Sequence, residues 1–349
     1  MGWRRRRWSR VASQSEQAAA AVTAAYIARQ QLLVLTLTRD LVLLLRQLFQ
    51  PGNPGPSWAV AKTQVGTLIE DRRRLAGDLA ARYYIDLRQV SLQPRRAPEL
   101  RPEASTLMPV THRPAARDIV ESVTRQQPSS ASAESASTGD LEEAFGLDPL
   151  TEEEAWAELQ RIAPAGPNDL DERRLDENLN VTGIASYEKA LRAGQTPEQA
   201  VDTMAVNLSG TATRLALEGA REVIRDAAEA DTEAIGWIRV PDADPCSWCA
   251  MLASRPGGLQ GQFFRSEQTA GRAKNSKFTG EGQFKWHDHC GCTAVPIFRD
   301  DDPLLERADD LYEQWLRETQ GYSGKNARNA WRRYWENRDR PEHPPRGLL

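Results

Sequence analysis

Cysteine and histidine are scarce in this chain, with four of each among 349 residues. Aromatic residues make up 7% and hydrophobic residues 40%. That is lean for the length and argues against a large β-sandwich or barrel, whereas abundant Ala, Arg and Glu favour long helices. Charge of one sign is also lacking: the formal net charge of −4 gives no global field to recruit nucleic acid or membrane. Long apolar runs are missing too. The most apolar stretch, Leu32 to Phe49, is interrupted by Arg39, Asp40 and Arg46, which predicts a buried helix and no membrane span. The basic start leads into polar Ser13-Gln14-Ser15-Glu16-Gln17 and not into a compact apolar core, so no signal peptide is expected. The expected setting is a reducing cytoplasm, where clustered cysteines bind metal or do chemistry more often than they form disulfides.

What is present reads as a mainly α protein with one small α+β domain. Residues 1–90 predict a long-helix hairpin with a basic N-terminal tip, Arg4 to Arg10. The tip reads as solvated, with a nucleic-acid contact as the alternative. Its first helix runs from Gln17 to Gln50 and is closed by the breakers at 51–56. Ser57 then caps a second helix whose apolar face is Trp58, Ala61, Val65, Leu68, Leu75, Leu79 and Tyr83. Residues 91–140 are a Pro/Ser/Ala-rich linker, interrupted by a short helix from Ala115 to Arg125. Residues 141–232 are helical again, with Thr151 capping one helix. Thr196 and Gln199 form a capping box, with Pro197 at the first helical position, for a long helix reaching about Ala230. Its apolar stripe is Val201, Met204, Leu208, Ala212, Leu215 and Val223, and Arg214, Arg221 and Arg225 lie on another face. Those arginines read as solvated, with a binding surface as the alternative.

In residues 233–300 the period changes. Ala234–Val240 and Thr293–Phe298 read as strands, the second at an edge because of Pro296. Residues 301–349 give two amphipathic helices, Leu304–Thr319 and Asn326–Asn337, and a tail. Trp315, Trp331, Tyr334 and Trp335 supply their apolar bulk.

All four cysteines fall between the two strands, in two clusters. Cys246 and Cys249 have C-x2-C spacing; His287, Cys290 and Cys292 form H-x2-C-x-C, with His289 inside it. Zinc takes four N or S ligands in a tetrahedron, commonly as two close pairs from separate turns. Cys246, Cys249, His287, Cys290 and Cys292 are the candidate ligands, more than four positions can use. Three other chemistries fit the same residues. One is a redox pair at Cys246/Cys249. Another is a Cys–His nucleophile oriented by Asp242, Asp244 or Asp288. The third is a packing corner whose cysteines pair only in an oxidising setting. Arg265 to Trp286, between the clusters, is polar and Gly-rich and reads as a loop.

The runs "GWIRVPDADPCSWCAMLASRPG", "FFRSEQTA" and "KWHDHCGCTAVPIF" resemble the Mu F-like minor capsid proteins of tailed phages, most nearly their actinobacteriophage branch. The family's C-x2-C and H-x2-C-x-C pattern falls on Cys246, Cys249, His287, Cys290 and Cys292, and the likeness spans residues 196–298. The resemblance implies a structural protein of the phage head interior, assembled in the host cytoplasm and associated with the portal and other head proteins. It would aid head assembly or DNA packaging and delivery. The N-terminal helices would be a docking arm, and the basic tip would touch portal or packaged DNA. Zinc rests on the ligand chemistry alone. The alternative within this resemblance is a capsid maturation protease. No G-x-S-x-G motif supports it, and the remaining histidines, His112 and His343, lie in the linker and the tail. The expectation is a non-enzymatic protein with no catalytic residues. A toxin or effector domain carried on the same module has little room, because two Trp-rich helices occupy the C-terminal extension.

Overall fold

The computed structural model of the chain describes residues 13–93, 151–163, 170–241, 245–254 and 286–338. The basic tip, nearly all of the linker with its short helix, the loop between the cysteine clusters, Asp242, Asp244, His112 and His343 lie outside these residues.

Helix α1 (Gln14–Leu48) starts at a capping box: the Ser13 hydroxyl accepts from the Glu16 N–H at 3.3 Å, and the Glu16 carboxylate accepts from the Ser13 N–H at 2.6 Å. Helix α2 (Pro54–Leu92) begins inside the breaker run, with Asn53 at the N-cap and not Ser57 as the sequence suggested. The physical reason is that proline has no N–H to lose in a first turn, where those groups are unpaired anyway. Ser57 instead donates to the Asn53 carbonyl at 2.7 Å and accepts from the Gln50 N–H at 3.0 Å, tying the tip together. The hairpin closes over Leu37, Leu41 and Leu45 against Ala61, Val65 and Ile69, all buried. At its open end Tyr26 and Tyr83 stack with centroids 4.0 Å apart. Of the apolar face expected for α2, Leu75 is the exception, 37% exposed. Helix α1 is the one described helix long and apolar enough to cross a bilayer. In the structure its apolar side packs on α2, and Asp40 at mid-helix takes Arg72 of α2 at 2.8 Å.

Three short helices follow: α3 (Glu152–Ile162), α4 (Glu172–Thr182) and α5 (Ile184–Arg192). Thr151 caps α3 and Asp171 caps α4, each side chain accepting an orphan N–H of the first turn. Helix α6 (Pro197–Ala230) has the expected capping box of Thr196 and Gln199. It packs along α2, α1, α5 and the sheet described below. From Leu208 to Ile224 every residue except Arg214 is buried, so the expected one-sided stripe becomes a helix enclosed all round. The polar residues caught there must find partners. Arg73 of α2, 5% exposed, pairs with Glu222 and donates to the Leu215 carbonyl at 3.1 Å.

At Gly219 the two long helices nearly touch: a Cβ there would lie 2.5 Å from the Arg73 carbonyl oxygen and 2.8 Å from its Cγ. Backbone cannot yield as a side-chain tip does. Gly219→Ala is therefore expected to cost about 1–3 kcal/mol, as overpacking does, read from chemical denaturation. An unchanged midpoint would show that the helices separate freely.

Strand β1 (Gly236–Val240) pairs antiparallel with β2 (Thr293–Ile297), Trp237 opposite Pro296 and Ile238 opposite Val295. Among the described residues the sheet has two strands, so both are edges and Pro296 interrupts no second ladder there. Between them lies α7 (Ser247–Ala253), and after them α8 (Pro303–Glu318) and α9 (Gly324–Asn337). Trp315, Trp331 and Trp335 form a satellite core with Ala250 and Met251 of α7. Two indoles also hold the backbone beside the first cysteine: Trp331 Nε1 donates to the Ser247 carbonyl at 2.7 Å, and Trp335 Nε1 to the Pro245 carbonyl at 2.6 Å. The architecture is mainly α with one small sheet, as the sequence predicts.

Candidate metal centre

Cys246 is the N-cap of α7, its sulfur accepting from the Cys249 N–H at 3.4 Å. This one turn of helix places both C-x2-C sulfurs together. The second cluster is a tight turn closed by the Cys290 N–H donating to the His287 carbonyl at 3.0 Å, which presents His287 and Cys290 on the same side. His287 Nε2 lies 3.1 Å from Cys246 Sγ and 3.2 Å from Cys249 Sγ, and Cys249 Sγ lies 3.5 Å from Cys290 Sγ. Cys292 joins Cys249 and Cys290 in a second triad, each triad holding its ligand atoms within 4.8 Å of one another. Tetrahedral zinc, with Zn–S of about 2.3 Å and Zn–N of about 2.0 Å, needs ligand atoms roughly 3.5–3.8 Å apart. The donor set and spacing therefore suit a soft, tetrahedral cation. All four cysteines are free thiols, and Cys249, Cys290 and Cys292 are buried.

The imidazole is oriented for ligation. His287 Nδ1 lies 2.6 Å from the Asp288 carbonyl. With its proton donated there, the Nε2 lone pair faces the sulfurs, the usual arrangement of a metal-bound histidine. Hydrogen bonding from Cys249, with help from His287, draws the Cys246 thiol down to about 4. The bond to Cys246 lifts His287 to about 9 against the effect of burial. Cys290 is held well below the usual thiol range by its contacts with Cys249 and Cys292 and by two nearby guanidiniums. Cys246 and Cys290 are thus held towards the thiolate, the form in which cysteine binds metal. Contacts with Cys246, Cys290 and Cys292, with burial, instead push the Cys249 thiol up, and Cys292 is raised by Cys290 and burial against its bond to Cys249.

His289 stands apart from both triads. It has a left-handed backbone, φ 63°, and its N–H donates to the Gly210 carbonyl at 3.2 Å. Its ring lies against α6 where glycine leaves room: a Cβ at Gly210 would fall 2.4 Å from Nε2. Asp288 does not orient the imidazole through its carboxylate. That carboxylate accepts from Arg214 Nε at 2.8 Å and Thr211 Oγ1 at 3.0 Å, fastening the turn to α6.

The basic face read on α6 is not solvated. Arg214 bridges Asp288, Glu218 and Asn178. Arg225 pairs with Asp226. Arg221 is buried and donates three hydrogen bonds to the carbonyls of Cys290 and Cys292, at 2.9–3.2 Å. The correction has a packing cause: the cysteine turns and α4 cover the side of α6 that periodicity leaves open to water. Two further residues went unnoticed in the sequence. Arg239, alone in an apolar strand, and Trp286, just before His287, complete the surroundings of the sulfurs. A lone arginine inside a five-residue buried strand was the available signal.

Residues 174–318 match the family model described as VG15 protein, a phage-associated viral family. The matched stretch covers less than half of the chain, runs from α4 through α8, and contains all four cysteines and His287. No curated protein matches, and no solved structure matches.

Proposed function

We propose that this chain is a minor structural protein of a tailed-phage head, associated with the portal, in which one structural zinc ion ties the two cysteine turns together. The observation that carries the zinc is the meeting of the two cysteine turns at Cys249, whose sulfur lies 3.2 Å from His287 Nε2 and 3.5 Å from Cys290 Sγ and belongs to both triads, Cys246–Cys249–His287 and Cys249–Cys290–Cys292. Five donors thus stand ready for four positions. Zinc there would supply cross-linking and no reaction. The head role is supported by the match to a phage-associated family and by the resemblance of the cysteine pattern to Mu F-like minor capsid proteins. The helical hairpin is the docking arm in this reading, and the arginine-rich start meets portal or packaged DNA inside the virion.

The test is composition. Mature heads are expected to contain this chain copurifying with the portal, and the purified protein is expected to carry about one zinc per chain in a closed four-ligand site. Absence from mature heads would end the head-protein reading, and a metal-free protein would end the zinc reading.

One observation favours an enzymatic alternative, the capsid maturation protease. Exposed Cys246 faces His287 at 3.1 Å with the polarity of a thiolate–imidazolium pair. Against it, His287 Nε2 is shared with Cys249 at 3.2 Å and its Nδ1 meets a backbone carbonyl, so among the described residues no carboxylate completes a triad. Cleavage of co-expressed head proteins that vanishes with Cys246→Ala would establish the protease instead.

A further inference from the structure

Two arginines from different elements meet at the sulfur cluster. Arg221 comes from the middle of α6 and Arg239 from the middle of β1, and each is 5% exposed. The Trp286 indole faces both, with Arg239 Cζ 3.6 Å and Arg221 Cζ 4.1 Å from the ring centroid. Arg239 Nη1 lies 4.0 Å from Cys249 Sγ and 3.9 Å from Cys290 Sγ. Arg221 reaches the same turn through the Cys290 and Cys292 carbonyls. Among the described residues Arg221 makes no ion pair with a carboxylate, and its buried Nη1 has no hydrogen-bond partner. Glu218, one turn away on α6, is already taken by Arg174 and Arg214.

Burying a cation is costly unless an anion answers it, and here two cations stand beside sulfurs that answer them only as thiolates. Two sulfurs, 3.9 and 4.0 Å from Arg239 Nη1, stand close enough to supply that charge. A divalent ion held by three thiolates and a neutral imidazole is a monoanion, which answers part of the positive charge that the arginines bury. On binding, each ligating cysteine still present as a thiol releases its proton to solvent as its metal–sulfur bond forms, His287 gives up any proton held on Nε2, and the guanidiniums keep theirs. Arginine suits the task better than lysine, because its planar fork can reach two carbonyls or two sulfurs while stacking on an aromatic ring.

We propose that Arg221 and Arg239, steadied by Trp286, are the built-in counter-charge of an anionic metal–thiolate centre and set its affinity for the metal. This rests on the zinc reading above. The two are positioning residues and do not ligate.

The experiment uses the full chain with zinc and cobalt as probes. Zinc affinity is measured by competition with a chromophoric chelator, and the thiolate-to-cobalt charge-transfer band is recorded for wild type, Arg239→Met, Arg239→Lys and Arg221→Met. Arg239→Met is expected to lose about 10–100-fold in zinc affinity, as loss of a group supporting metal ligands does, and to shift the cobalt band. Arg239→Lys should recover part of both, because it keeps the charge. Circular dichroism checks that the helices persist; if Arg239→Met does not fold, Arg221→Met on the other element carries the comparison. Affinity within about twofold of wild type in a folded neutral variant, with an unmoved cobalt band, overturns the counter-charge. A wild-type chain that takes neither metal overturns the zinc reading, and this proposal with it.

Discussion

Stripping the metal is expected to loosen the cysteine turns, α7 and the small sheet while the long helices stay folded. Helix α7 has seven residues, far short of the length at which a helix persists unaided. A two-stranded sheet is marginal without support, and no disulfide is present among the four cysteines. The remaining fastenings are the burial of both strands in the core against α6, the Trp331 and Trp335 bonds to the backbone at residues 245–247, the Asp288 anchor and the Arg221 bonds. Linkage sets the scale: free zinc at a thousandfold excess over its dissociation constant stabilises the site-bearing state by about 4 kcal/mol. Chelation should therefore abolish hydrogen-exchange protection in β1, β2 and α7 and leave it in α1, α2 and α6. Cys290→Ser should reproduce the effect without chelator, since Ser keeps the size and loses the ligand. Protection that chelator leaves unchanged throughout would mean that packing, and not metal, holds the corner.

Removing Arg73 is expected to be the most damaging single change away from the cysteines. Its guanidinium meets Glu222 where both side chains are under a tenth exposed. Arg73→Met would strand a buried carboxylate, at a cost of about 3–5 kcal/mol. The pair itself is no large source of stability: burial lifts the Glu222 carboxyl above its ordinary 4.5 even with Arg73 against it. Converting both partners to apolar residues, Arg73→Met with Glu222→Leu, should therefore recover most of the loss. The pH sign follows. A carboxyl whose folded value is raised favours the folded state when protonated; that contribution is complete below 4.5 and is lost as pH rises through the folded value. The single variant's deficit should accordingly shrink in acid and be full at neutral pH. Denaturation midpoints at both pH values measure it, and a deficit under about 1 kcal/mol at neutral pH would refute the uncompensated-charge account.

How much was legible beforehand differs between the helices and the site. Capping boxes are local chemistry, so Thr151, and Thr196 with Gln199, gave true starts for α3 and α6. The strands declared themselves by a change of period. Ser57 misled because a residue suited to capping can do other work in a first turn that proline already tolerates. The ligands were legible as spacing, since two turns with clustered sulfur have few uses. Spacing picked His287 over His289 without showing the physical reason. That choice depends on Gly210, nearly eighty residues earlier, giving one ring a place on α6. The arginines failed for a similar reason: helical periodicity shows which face is polar, not whether another segment covers it.

The enclosure of α6 bears on where the molecule can be divided. The stretch matched by the phage family begins at Arg174, yet the α1–α2 hairpin before it closes much of α6 and shares one continuous core with the sheet. A version of that stretch without an equivalent hairpin would present an open, apolar seam. In this chain the seam is closed by a piece connected to it through residues 94–150, so the two halves behave as a split protein whose complementing fragment is covalently supplied. Their mutual affinity is multiplied by effective concentration, which leaves the individual contacts free to be modest.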